Sequence, residues 1–121
     1  MPPKNQSPRT RRVADLIRVE LAEILTTKTE DPRLRVLSVT GAEVTRDLAV
    51  ARVWVSGAIA AGDEGHVMDA LARATPYFRS LLAPRLGLRI VPELQFKVDR
   101  SIETGARIEQ LLRELKEPPR E

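Results

Sequence analysis

The sequence predicts an α+β domain of two layers, in which helices cover one face of a three-stranded sheet. Two patterns carry this prediction. In an N-terminal and a C-terminal segment, apolar residues recur at intervals of three and four, which is typical of amphipathic helices. In two central segments, apolar and polar residues alternate, which is typical of strands with one buried face.

The first helix is predicted to begin at Ser7-Pro8 and to end before Glu30. Serine is a favoured N-cap, and proline suits the first turn because its missing N–H would have no partner there. The helix ends where Pro32 disfavours helical geometry in the residue before it. Its predicted buried face consists of Val13, Leu16, Ile17, Leu21, Ile24 and Leu25.

Two strands and a turn are predicted to follow. The first strand covers residues 36–45, with Gly41 as a candidate bulge, and the second covers 49–56. In the second strand Ala51, Val53 and Val55 share one face, which we expect to be buried. A loop of small residues then occupies positions 57–65.

The remaining elements complete an order that is known from RNA-binding proteins. A helix is predicted from about His66 to Leu86 with an interruption at Pro76, and a third strand follows around residues 94–98. Helix, strand, strand, helix, break, helix and strand is the arrangement of a type II KH domain, an RNA-binding fold. An added C-terminal helix begins at Ser101 and carries an apolar stripe of Ile102, Ala106, Ile108, Leu111, Leu112 and Leu115.

The length of 121 residues suits a single domain. We predict that residues 8–116 form this KH-like domain with its C-terminal helix, and that residues 1–7 and 117–121 are disordered tails. No apolar run approaches the length of a membrane span, and the N-terminus lacks the apolar stretch of a secretory signal. We therefore expect a cytoplasmic protein with no membrane contact.

The charges are divided into blocks along the chain. Residues 1–12 carry four basic and no acidic side chains, and residues 73–100 carry six basic and two acidic ones. Residues 13–72 carry ten acidic and six basic side chains. This pattern predicts an anionic partner. Most of the cations are arginines, which suit phosphate contacts, although a GC-rich genome would produce the same abundance.

Catalytic residue types are scarce. The chain has no cysteine, which excludes disulfides, thiolate zinc sites and cysteine nucleophiles. His66 is the single histidine, and the acid pairs at 30–31 and 63–64 lie at element boundaries, where carboxylates serve in turns and caps. We therefore expect that the chain is not an enzyme and binds no metal or cofactor. We also expect a monomer.

The predicted helix break is a candidate RNA-binding site. Thr75 would cap the second half-helix and Pro76 would take its first position, which would leave the N–H groups of Tyr77 and Phe78 free to bind a phosphate. Alternatively, Pro76 only bends the helix around the core. Aromatic residues make up 3% of the chain, so an exposed platform for stacking bases is not expected. The candidate RNA-binding residues are Arg9, Arg11, Arg12, Arg73, Ala74, Thr75, Pro76, Arg79, Arg85 and Arg89.

Several fragments together resemble the bacterial ribosome-binding factor A family. They run in order from about Arg9 to Leu115, and the set is far more specific than any one fragment. The fragments are ELAEIL at 20–25, DPRL at 31–34, VTGAEVTRDL at 39–48, ARVWVS at 51–56, LRIVPELQF at 88–96 and DRSIETGARI at 99–108.

The resemblance implies a type II KH-like fold in which an interhelical Ala-x-Gly kink replaces the Gly-x-x-Gly loop. Ala74 matches the alanine of the kink, and Pro76 stands where the family usually has glycine. The resemblance further implies a factor that binds the free 30S subunit near the 5′ region of 16S rRNA. It implies support for late maturation and rRNA processing, and a link to growth in the cold. From the residues alone, a basic protein–protein adaptor without RNA contact is the alternative.

Overall fold

The computed structural model describes residues 7–57, 59–60, 62–100 and 112. Within them the elements are α1 (Pro8–Thr27), α2 (Pro32–Arg35), β1 (Ser38–Val44), β2 (Val50–Ser56), α3 (Glu64–Leu86) and β3 (Glu93–Val98). The predicted C-terminal helix lies outside the described residues, except that Leu112 is helical. The predicted tails also lie outside them, except for Ser7.

Helix α1 begins as predicted. The Ser7 hydroxyl accepts a hydrogen bond of 3.2 Å from the backbone N–H of Thr10, and Pro8 occupies the first turn. Five of the six residues of the predicted stripe are buried, among them Ile17 and Leu21, whereas Leu16 is only partly buried and lies outside the core. The short helix α2 was not predicted. Its N-cap Asp31 accepts a hydrogen bond of 2.9 Å from the N–H of Arg33.

The three strands form one sheet in the order β1-β2-β3. β1 and β2 are antiparallel, whereas β2 and β3 are parallel. The register of β1 shifts between Val39 and Gly41, so the predicted bulge is confirmed. The predicted face of β2 is also confirmed, since its three small apolar side chains are fully buried towards the helices.

Helix α3 differs from the prediction because it runs through Pro76 without interruption. The Thr75 hydroxyl donates to the Leu71 carbonyl at 2.8 Å, one turn back in the same helix, and therefore does not cap a new helix. An interior proline costs about 3 kcal/mol. Burial of Phe78 and Leu82 beyond it contributes about 1.5–3 kcal/mol each, so packing outweighs the proline. The predicted break and its free N–H groups are wrong, and the alternative of a helix fitted around the core is favoured.

The core lies between the helices and the inner face of the sheet. Helix α3 and strand β3 meet in an edge-on aromatic contact between Phe78 and Phe96, whose ring centroids are 6.1 Å apart. Pro92 is buried at the entry to β3. This packing fixes the middle of α3, where half of the candidate RNA-binding residues lie.

Candidate nucleic-acid interface

The first turns of α1 present three exposed arginines. Arg9, Arg11 and Arg12 surround Thr10, which is buried and whose hydroxyl donates to the Ser7 carbonyl at 3.0 Å. None of the three arginines forms an ion pair with another described residue. The first turn also contains no acidic residue. Cations here oppose the helix dipole, so a bound anion would relieve this unfavourable arrangement.

Arg73 is exposed on the middle of α3, close to the α2 cap. Hydrogen bonds from the side chain and backbone of Arg33 lower the pKa of Asp31, and the charge of Arg73 acts in the same direction. The neighbouring Ala74 is half-buried and packs against the core, whereas Pro76 is exposed. In this part of α3, Arg73 is therefore the candidate residue whose positive charge is exposed to a ligand.

Arg79 forms a contact within the fold and is only partly exposed. Its Nη2 donates to the Val91 carbonyl at 2.6 Å, which joins α3 to the segment before β3. Its Nε is buried and has no hydrogen-bond partner within the described part of the chain. Such an unsatisfied donor costs about 1–3 kcal/mol. Arg79 also lines a cleft of about 340 Å³ between α3 and β3, together with Thr75 and Gln95.

Arg85 links the last turn of α3 to α1. Its Nη1 lies 2.8 Å from Glu20 and 3.3 Å from Glu23, so two carboxylates neutralise its charge. Arg89 follows α3 and is exposed. The structure thus divides the predicted arginines into two groups. The exposed group is Arg9, Arg11, Arg12, Arg73 and Arg89, and the group engaged within the fold is Arg79 and Arg85.

Sequence reasoning missed the part of the surface that α2 builds. Lys28, Glu30 and Tyr77 line a cleft of about 530 Å³ between the end of α1, α2 and α3. The signal was present in Asp31-Pro32, because an aspartate followed by proline marks a helix start in the same way as Ser7-Pro8.

The described residues form neither a metal cluster nor a membrane span. In residues 7–57, 59–60, 62–100 and 112, no cluster of three or more histidine, cysteine or acidic side chains could hold a metal ion. His66 is exposed, and its ring lies 3.8 Å from Asp63. Among the described helices, none combines the length and the hydropathy that crossing a membrane requires.

Comparison with known proteins identifies the family. The sequence model of the family described as ribosome-binding factor A matches residues 9–112. Ribosome-binding factor A of Halothermothrix orenii is 40% identical over 112 residues, which are 90% of this chain and 89% of that protein.

Solved structures agree with the sequence match. The crystal structure of ribosome-binding factor A from Thermus thermophilus has a TM-score of 0.67 and 29% identity, over 76% of this chain and 98% of that one. A homology model of the Thermus thermophilus factor, fitted into the cryo-EM map of a 30S complex, has a TM-score of 0.61 and 32% identity. That match covers 72% of this chain and 91% of the fitted one. These neighbours have the KH-like fold, which confirms the predicted fold class. With matches in both sequence and structure over most of its length, the chain belongs to the ribosome-binding factor A family.

Proposed function

We propose that this chain binds the free 30S ribosomal subunit and assists its late maturation, including the processing of 16S rRNA. The observation that carries the proposal is the Thermus thermophilus relative fitted into the map of a 30S complex, which is 32% identical to this chain. Such a factor acts in the cytoplasm, where ribosomes are assembled. The chain would act as a monomer near the 5′ region of 16S rRNA. Loss of the protein would impair growth most at low temperature.

The exposed arginines provide the chemistry for this binding. Guanidinium groups form paired hydrogen bonds to phosphate oxygens, and each phosphate that they neutralise releases condensed counterions. Arg9, Arg11 and Arg12 form the main contact, because these three cations lie within one turn of each other and none is paired with another described residue. Arg73 and Arg89 extend the contact along and beyond α3. Arg79 and Arg85 stabilise the fold that holds these side chains in place.

The proposed mechanism contains no catalytic step. The chain has no cysteine, which excludes a thiolate nucleophile, and a single histidine, which leaves one imidazole as a candidate base. The positive charge at the start of α1 would bind rRNA phosphates. The shape of the protein would then favour an immature subunit over the finished one. We propose that the chain is not an enzyme.

The alternative is an adaptor whose basic segments engage an acidic protein. The two functions differ in their dependence on salt, because counterion release makes binding to rRNA fall steeply with salt concentration. Salt also screens the charges of a contact with an acidic protein, but no condensed counterions are released there, so that affinity should fall less steeply.

The proposal is tested by sedimenting a cell lysate and locating the chain among free 30S subunits, whole ribosomes and the soluble fraction. We expect it on free 30S subunits at low salt, and we expect it to be released as salt is raised. Its presence on whole ribosomes, or on a salt-resistant complex that lacks rRNA, would contradict the proposal.

A further inference from the structure

The cleft beside α2 has the shape and lining of a small-ligand site. Its volume of about 530 Å³ falls within the usual range for such pockets, roughly 300–1,000 Å³. The buried side chains of Leu34, Ala70 and Phe78 provide apolar lining. Tyr77 borders the cleft with 49% of its surface exposed, so its ring is accessible to a ligand.

The charges around the cleft balance each other. Lys28 and Arg73 contribute two positive charges, and Glu30 and Asp31 contribute two negative ones. The Asp31 carboxylate is also held by Arg33, whose Nη2 lies 2.9 Å away. A phosphate inside this cleft would meet the two carboxylates. A neutral, planar group with polar edges fits better, because it buries its faces against apolar and aromatic atoms and directs its edges towards the charged rim.

We propose that this cleft binds one unpaired base of the ribosomal RNA, stacked on the ring of Tyr77. This inference rests on the proposed function, since the base would belong to the rRNA that the arginines hold. Proteins recognise single-stranded RNA by stacking splayed bases on aromatic side chains. Arg73 lines the same cleft and is exposed, so it is placed to hold the phosphate attached to that base.

Tyr77 is one of only four aromatic residues in the chain. A chain with so few aromatic residues does not build a broad stacking platform, but one base requires one ring. Tyr77 lies on the helix turn that also buries Phe78, and the two rings are tilted by 46° with their centroids 6.4 Å apart. Phe78 therefore anchors the turn in the core while Tyr77 remains available at the surface.

The test measures the binding of full-length variants to purified free 30S subunits over a series of salt concentrations. We expect Tyr77→Leu to weaken binding roughly 5- to 150-fold, the range found when a base loses its stacking partner. The salt slope, which is the slope of log affinity against log salt concentration, should not change because no charge is removed. Tyr77→Phe should bind like the parent, because the ring remains. Val36→Ala is the matched control, since it truncates another exposed apolar residue that lines neither this cleft nor the surface around Arg11 and Arg12.

A second readout identifies the partner group. Short-wave ultraviolet irradiation of the complex should couple the peptide that contains Tyr77 to an rRNA nucleotide, and Tyr77→Leu should abolish that product. Coupling to a ribosomal protein would overturn the base site, and so would unchanged binding of Tyr77→Leu when the parent binds with a steep salt slope. If the parent itself does not bind 30S subunits, the proposed function fails and the base site fails with it.

Discussion

The first turn of α1 and the second half of α3 both belong to basic segments, yet they use arginine differently. In α1, Arg9, Arg11 and Arg12 are exposed and form no ion pair with a described residue. In α3, Arg79 binds the Val91 carbonyl and Arg85 binds two glutamates of α1. The comparison shows that one basic segment holds exposed arginines and the other holds arginines engaged within the fold, so the charge of a segment does not by itself locate a binding surface.

The largest expected effect follows from removing the unpaired group. We expect replacement of Arg9, Arg11 and Arg12 together by alanine to weaken binding to 30S subunits by about 100-fold at low salt, because three phosphate contacts are lost. The melting temperature should stay unchanged or rise, since cations at a helix N-terminus cost about 0.3–1 kcal/mol each. Sedimentation binding and thermal unfolding measure the two effects. A large drop in melting temperature would instead show that these arginines stabilise the fold.

Arg79→Ala should have the opposite pattern. The variant loses the hydrogen bond to the Val91 carbonyl and the packing of the half-buried side chain, but it also removes the unpaired Nε, so the net loss in the free energy of unfolding should be about 1–2 kcal/mol. Chemical denaturation measures this loss. Binding to 30S subunits by the folded variant should match the parent. If stability is unchanged while binding falls, Arg79 belongs with the arginines of α1.

Pro76→Ala tests whether the middle of α3 acts as a break. Because Pro76 is exposed within a continuous helix, alanine should restore one helical hydrogen bond and stabilise the protein by about 1 kcal/mol or more. Binding should be unchanged, since no N–H group is free for a phosphate. Pro76→Gly is the control for flexibility and should be about 1 kcal/mol less stable than Pro76→Ala. A loss of binding in Pro76→Ala that glycine avoids would restore the break as an RNA site.

Arg85→Ala should have a smaller effect than Arg79→Ala. The ion pairs with Glu20 and Glu23 are partly exposed, so their loss should lower the free energy of unfolding by about 1 kcal/mol. That corresponds to roughly 4 °C in the melting temperature. A double-mutant cycle with Glu20→Gln would isolate the coupling between the two helices. Zero coupling would remove the distinction between Arg85 and the exposed arginines.

The smallest effect is expected for Asp31, which forms an ion pair with the exposed Arg33. The pKa of Asp31 is lowered in the folded protein, so its stabilising contribution is present above the ordinary pKa of about 3.8 and is lost as pH falls through the lower, folded value. Asp31→Asn should therefore flatten the acid side of the stability profile slightly. An identical profile in the variant would show that the pair contributes nothing.

The elements that sequence predicted well have local causes. Ser7-Pro8 starts α1 through contacts within one turn, and the alternation in β2 reflects a single buried face. The continuity of α3 could not be predicted from local signals, because the burial of Phe78 depends on packing against α1 and the sheet. The ion pair of Arg85 could not be predicted for the same reason, since its partner Glu20 is 65 positions away in the chain. The family resemblance supplied the fold and the function, but it could not separate paired from unpaired arginines.

The most direct test of this separation compares salt slopes for two variants on purified free 30S subunits. One variant lacks Arg9, Arg11 and Arg12, and the other lacks Arg79 and Arg85. We expect the slope of log affinity against log salt to fall by about three units in the first variant and to remain at the parent value in the second, provided that it is folded. Equal slopes in the first variant and the parent, or a slope reduced by about two in the second, would contradict the account.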